Sequence, residues 1–252
     1  MENLILTPYP GWLHIALNRP AVKNALNTAT LAALADVLRA ATADTSIRAV
    51  LLSGTEGNFA AGADIAEIAT KTSAEAATDP RKAHWAAIRA FPKPLIVAID
   101  GFALGGGLEL ALMADIIILG ETAKLGLPET NLGLIPGAGG TQRLLALAGR
   151  ARASRMVLTG EMIDGATAHA WGIAAYLATG PVLDEATALA TRIARRAPLA
   201  LQAAKAALVA GDEAGRAFTT ERAGFEALMD SADKAEGIAA FRDKRKPQFR
   251  GQ

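Results

Sequence analysis

Three short, unbroken apolar runs most constrain what this 252-residue chain can fold into: Ala49-Val50-Leu51-Leu52, Leu95-Ile96-Val97-Ala98-Ile99 and Ile116-Ile117-Ile118-Leu119. Continuous runs of this length are typical of buried strands. Helical segments lie between them. An earlier strand, Trp12 to Leu17, stops at Asn18-Arg19-Pro20. Leu31, Leu34, Ala35 and Leu38 then recur at helical spacing, with Asn27 or Thr28 as the cap. Strands alternating with helices predict an α/β protein. From about Gly139 the pattern is mostly helical, and Pro198 ends one helix or starts the next. This divides the chain into a core over 1–195 and a helical appendage over 196–252. The polar, Ala/Thr-rich stretch from Glu67 to Arg81 reads as a mobile helix or loop.

With 51% apolar and 20% charged residues, the chain has ample material for a core. A formal net charge of +1 gives no electrostatic reason to expect a polyanionic partner. The basic run Arg242-Asp243-Lys244-Arg245-Lys246 reads as a solvated helix end. The absence of cysteine excludes disulfides and Cys-ligated metals. Met1-Glu2-Asn3 lacks the basic and apolar segments of a signal peptide. Leu104 to Gly120, interrupted by Glu109 and Asp115, is too short and too charged to span a membrane. A cytoplasmic protein without a membrane partner is the expectation.

Several chemistries are poorly supplied. His14, His84 and His169 are isolated, and none has the HExxH spacing of a zinc hydrolase, so no metal site is expected. No GxSxG elbow and no Walker A motif is present, and no GxGxxG opens a helix directly after the first strand.

Two glycine-containing turns carry more promise. Asn58-Phe59-Ala60-Ala61-Gly62-Ala63-Asp64-Ile65 follows the first buried run, and its small residues let backbone approach a ligand. Asp64 is placed to cap the next helix. In Gly101-Phe102-Ala103-Leu104-Gly105-Gly106-Gly107-Leu108-Glu109-Leu110, three glycines lead into an apolar helix bearing one carboxylate. N–H groups at a helix start stabilise negative charge, and two such turns could give two donors to one developing oxyanion. The first turn by itself is equally a plain strand-to-helix connection, and the glycine triplet by itself is only a flexible turn. A third segment holds Glu129 between Pro128 and Thr130, before Pro136-Gly137-Ala138-Gly139-Gly140-Thr141. Glu109, flanked by Leu108 and Leu110, must be paired, protonated or functional. Glu129 reads more simply as a surface or salt-bridged residue. Two carboxylates beside one oxyanion site would make an acid/base pair.

Taken together, these segments resemble the crotonase (enoyl-CoA hydratase/isomerase) superfamily. The motifs run in that family's order from Asn18-Arg19-Pro20 and Asn24-Ala25-Leu26-Asn27 through Phe59 to Asp64, Gly105 to Leu110, Pro128-Glu129 and Pro136 to Leu144. The likeness continues through Val157-Leu158-Thr159-Gly160 to Phe241-Arg242-Asp243-Lys244-Arg245. It implies a spiral of ββα units with a helical C-terminal trimerisation region, hence a homo-oligomer, either a trimer or a dimer of trimers. It implies an acyl-CoA thioester as substrate, with coenzyme A arriving as part of the substrate and no separate cofactor. The backbone N–H groups of Ala63 and Gly106 match the family's oxyanion hole, and Glu109 and Glu129 its two catalytic glutamates. Ala25, Ala61, Ala63 and Ile65 match positions around the adenine, and Lys244 a basic residue near the nucleotide, sometimes from a neighbouring subunit. Ala66 departs from the pattern, since many relatives carry a lysine there near the CoA phosphates.

Keeping both glutamates favours hydration over the isomerase and other activities of the superfamily. The text resembles hydratases of bacterial phenylacetate catabolism, of the 2,3-dehydroadipyl-CoA type, and nearly as well those of fatty-acid oxidation. One RNA-binding relative relies on a lysine-rich first helix. Here Thr28 to Asp44 has Arg39 as its only basic residue, which argues against a nucleic-acid partner.

Overall fold

The computed structural model describes residues 2–212 and 215–248. Its strands are β1 (Leu4–Tyr9), β2 (Trp12–Leu17), β3 (Ala49–Gly54), β4 (Leu95–Ile99), β5 (Phe102–Leu104), β6 (Ile116–Leu119), β7 (Lys124–Gly126), β8 (Ile163–Asp164) and β9 (Tyr176–Leu177). The helices that matter first are α1 (Thr28–Ala43), α2 (Ile65–Ile68), α3 (Ser73–Ala77), α4 (Arg81–Arg89), α5 (Gly106–Ala111) and α6 (Gly140–Thr159). After them come α7 (Gly165–Ala170), α8 (Val182–Ala194), α9 (Pro198–Asp212), α10 (Gly215–Leu228) and α11 (Ala232–Arg242).

The three apolar runs become β3, β4 and β6, adjacent parallel strands of a six-stranded sheet ordered β1-β2-β3-β4-β6-β9. Their residues are almost all buried because the sheet is covered on both faces. Leu31, Leu34 and Leu38 of α1 pack in the larger core cluster, while α8 covers the opposite face through Ala186, Leu189 and Ala190. Asn27 caps α1, its side chain accepting the Thr30 N–H at 2.8 Å. A second, small sheet has the order β5-β7-β8.

Two registers explain the spiral. Ala60 bridges Ala103 of β5 in parallel, and β5 pairs with β7 in parallel. Each turn of chain therefore contributes a strand to the large sheet, a shorter extended piece to the small sheet, and a helix. The first turn is β3, Ala60 and α2, the second β4, β5 and α5, and the third β6, β7 and α6. Successive turns stack, so equivalent loops come to lie side by side.

Of the two readings of Glu67 to Arg81, helix or loop, the helical one holds: the stretch contains the end of α2 and all of α3, and reaches the start of α4. Thr72 and Glu75 form a reciprocal capping box that fixes the start of α3. Strand β1, which pairs antiparallel with β2, has no counterpart in the sequence reading. Among the described residues, no helix is long and apolar enough to cross a membrane.

Candidate active site

The stacked loops meet at one cavity of about 400 Å³. In the first turn, Leu26 clamps the chain on both sides of Ala63. Its N–H donates to the Gly62 carbonyl at 2.8 Å, and its own carbonyl accepts the Asp64 N–H at 2.9 Å. Asp64 then caps α2 through the Ala66 N–H and accepts from Arg19 at 2.9 Å. This pinning fixes the direction of the Ala63 N–H. In the second turn, Gly105 has φ +48°, a conformation that costs a side-chain-bearing residue energy, and its N–H donates to Gly126 of the third turn at 2.9 Å. Helix α5 starts one residue later. Gly107 admits no side chain, since a Cβ there would stand 2.2 Å from the Ala60 carbonyl oxygen.

These constraints bring Gly106 against Ala63. A Cβ on Gly106 would lie 3.3 Å from the Ala63 nitrogen. Among the described residues, neither the Ala63 N–H nor the Gly106 N–H donates to a protein acceptor. Both line the cavity.

The two glutamates reach the same cavity from different turns. Glu109, on α5, is buried, and its Oε1 accepts the Ala138 N–H at 2.6 Å and the Gly140 N–H at 3.0 Å. Two backbone donors at the start of α6 thus orient this carboxylate. Glu129 stands in the short 3₁₀ turn Pro128–Leu132, which ends at Gly133 with φ +70°. Its Oε1 would be 3.0 Å from a Cβ on Gly105, so that glycine also makes room for the carboxylate. The surface reading of Glu129 is corrected: the residue is half-buried, lines the cavity, and its Oε2 is shielded from solvent.

Of the other residues singled out in the sequence, Ala61 and Ile65 line the cavity, while Ala25 and Lys244 do not. Ala25 lies behind the rim, its carbonyl accepting Arg19 Nη1 at 2.6 Å. Lys244 follows α11 in a turn with φ +54°. Two of the three histidines hold structural contacts: His14 Nε2 meets Ser53 Oγ at 2.8 Å, and His169 Nδ1 meets the Ala174 carbonyl at 3.1 Å. Burial holds the His14 imidazole below its ordinary value, which favours its neutral form.

Residues 9–252 match the family model described as enoyl-CoA hydratase/isomerase. The 2,3-dehydroadipyl-CoA hydratase of Escherichia coli K12 is 46% identical, with 100% of each chain covered. The chain belongs to the enoyl-CoA hydratase/isomerase family. A probable enoyl-CoA hydratase, echA8, of Mycobacterium tuberculosis is 40% identical over 93% of each chain. Among solved structures, Pseudomonas aeruginosa OdaA superposes with a TM-score of 0.89 at 33% identity, covering 96% of this chain and 99% of that one. EchA1_1 of Mycobacterium paratuberculosis does so with a TM-score of 0.88 at 36% identity over 100% of both.

In this family member, sequence reasoning missed three cations that line the cavity: Lys23, Arg81 and Arg222. Lys23 sits at the exposed rim with its ammonium 4.7 Å from the centre of the Phe102 ring. It immediately precedes the Asn24-Ala25-Leu26-Asn27 motif, the one signal that could have drawn attention to it. Arg81 and Arg222 are separated by most of the chain. Arg222 and the neighbouring Phe225 come from α10, so the helical region after residue 196 also supplies cavity wall. Beside Arg81, burial pushes the Asp79 carboxyl up, but hydrogen bonds from Arg81 and then Lys71 outweigh it and hold Asp79 well below the usual carboxylate range.

Proposed function

We propose that this protein is an enoyl-CoA hydratase, adding water across the 2,3 double bond of a 2-enoyl-CoA thioester to give a 3-hydroxyacyl-CoA. The observation that carries the reading is the convergence of two carboxylates, Glu109 and Glu129, with the N–H groups of Ala63 and Gly106 on one cavity. The relatives named as hydratases support it, one of them by its name a 2,3-dehydroadipyl-CoA hydratase.

The chemistry follows from charge. When the thioester carbonyl accepts both N–H groups, the conjugated double bond is polarised and C3 becomes electrophilic. Water held by the two carboxylates attacks C3, and charge gathers on the thioester oxygen. Glu109, oriented by the Ala138 and Gly140 N–H groups, takes the proton of that water. Glu129, in its carboxylic-acid form, gives its proton to C2, and the collapse of the enolate regenerates the thioester. Donors aimed at an oxyanion are each worth about 10²–10³ in rate. The role assigned to the carboxylates is general acid and base.

Ala61, Ala63 and Ile65 are assigned to the nucleotide side of coenzyme A, together with Ala25 and with Lys244 of the same or a neighbouring subunit. Lys23 at the rim is added as a cation for the CoA phosphates, which Ala66 cannot serve. The reading includes a cytoplasmic homotrimer or dimer of trimers, without nucleic-acid partner and without cofactor beyond the CoA of the substrate. Large apolar side chains left exposed on and before the last helices, Leu158 at 74%, Leu199 at 78% and Leu208 at 74%, support a subunit contact there.

Loss of the 2-enoyl thioester absorbance of crotonyl-CoA, followed without metal or nicotinamide, tests the reaction. Hydration is expected. Inert 2-enoyl thioesters beside rapid isomerisation of a 3-enoyl-CoA would replace hydratase by isomerase.

A further inference from the structure

The cavity has two unlike ends. From Ala63 and Gly106 one side leads through Gly62 and Ala61 to Phe102 and Lys23, whose carbonyl accepts the Ala61 N–H at 2.9 Å. The other side leads away from Glu109. Ala138 donates to that carboxylate, and a Cβ on the preceding Gly137 would stand 2.6 Å from the Phe225 ring. Arg222 lies 4.9 Å from the centre of the same ring. Arg222 Nη2 also donates to the Ala76 carbonyl at 2.7 Å, and the Asp79 N–H donates to that carbonyl too, which brings α10 to the start of α4 and to Arg81. Arg81 and Trp85 are one helical turn apart and share a face. The same cavity is lined by the apolar side chains of Ile68, Trp85, Leu134 and Phe225.

Two guanidinium groups in such a wall are costly unless matched. The matching is incomplete. Arg81 and Lys71 share Asp79, and Arg222 and Lys82 share Glu226. Four cations thus meet two carboxylates. Adding Lys234, with Asp230 and Glu75 beside it, still leaves a positive excess of one. Arg81 commits Nε and Nη2 to Asp79, and Arg222 commits Nε to Glu226 and Nη2 to Ala76. Among the described residues, Nη1 of neither arginine donates to a protein acceptor. Only these two of the four cations line the cavity.

We propose that Arg81 and Arg222 form a carboxylate seat at the acyl end of the cavity, so that the preferred substrates are 2-enoyl thioesters whose acyl chain ends in a carboxylate. This deepens the hydratase reading and rests on it. The two Nη1 groups that remain suit the two oxygens of one carboxylate, and the excess charge favours an anion there. A methyl-ended chain of equal length would desolvate the same two groups and return nothing to them. The seat is therefore a specificity device, remote from the reacting carbons.

The test compares 2,3-dehydroadipyl-CoA with trans-2-hexenoyl-CoA, which has six acyl carbons and no terminal charge. For the parent protein kcat/KM is expected to be at least tenfold higher for the carboxylated substrate, mostly through KM. Arg222→Gln and the conservative Arg81→Lys should each lower that ratio by about tenfold. Calorimetry with the unreactive pair adipyl-CoA and hexanoyl-CoA should show the same preference in Kd, and the same loss in the variants. Equal hydration of the two substrates by the parent would overturn the seat and leave the hydratase standing. Hydration of neither would overturn both. Variants that lose activity on both substrates alike, with the ratio preserved, would make the arginines structural and overturn the seat, with circular dichroism reporting whether folding had failed.

Discussion

A Cβ added at Gly106 would stand 3.3 Å from the backbone nitrogen of Ala63, although the two residues belong to different turns of the spiral. The contact exists because Ala60 pairs with Ala103 and β5 with β7, so the loop that follows each short strand lies against its neighbour. Topology rather than proximity in sequence creates a pair of N–H donors.

Gly106→Ala should therefore lower kcat for crotonyl-CoA by about 10², as does loss of one oxyanion donor. The added methyl group crowds the space that the thioester oxygen would occupy. Steady-state kinetics on protein with parental circular dichroism measures it. A kcat within twofold of the parent would remove this N–H pair from the mechanism.

Asp79 offers a test of stability against pH. Its folded carboxyl lies well below the ordinary value of 3.8, so its contribution is present above that value and is lost as pH falls from there toward the folded value. Asp79→Asn leaves Arg81 and Lys71 without their shared anion and should cost about 3–5 kcal/mol near pH 7. The gap in melting temperature between variant and parent should narrow below about pH 4. A gap that stays constant between pH 7 and pH 3 would show that the ion pairs are not its source.

Light scattering on the purified protein should give a mass of three or six chains. Leu199→Glu combined with Leu208→Glu, at the exposed apolar positions of α9, should shift it toward the monomer. An active monomer of the parent protein would contradict the proposed assembly.

Much of the fold could be read from hydrophobic pattern. The runs of β3, β4 and β6 are apolar because both sheet faces are covered, and the Asn27 cap marks the start of α1. Strand β1 escaped because it is an edge strand, with Ile5 and Leu6 exposed and no alternation to betray it. The strands of the small sheet, two or three residues long, carry too little pattern to stand out. In the site, the glycine turns and Glu109 were legible because glycines at a helix start and a carboxylate among leucines each require a reason. Glu129 gained its reason only from the stacking of the third turn on the second. Arg81 and Arg222 were not legible at all: a lone arginine on a polar helix reads as solvated, and only the packing of α10 against α3 brings these two to one cavity.

In the proposed mechanism Glu109 and Glu129 act together on one water and one C2 proton. The most direct measurement is single-turnover hydration of crotonyl-CoA by Glu109→Gln, Glu129→Gln and the double variant, each checked by circular dichroism and by its affinity for an unreactive acyl-CoA. Each single change keeps side-chain volume and should lower the rate by about 10² or more while leaving affinity nearly unchanged. The double variant should be little slower than the slower single variant, because groups that act as one unit are not additive. A folded Glu129→Gln protein that hydrates crotonyl-CoA at close to the parental rate would contradict the paired mechanism.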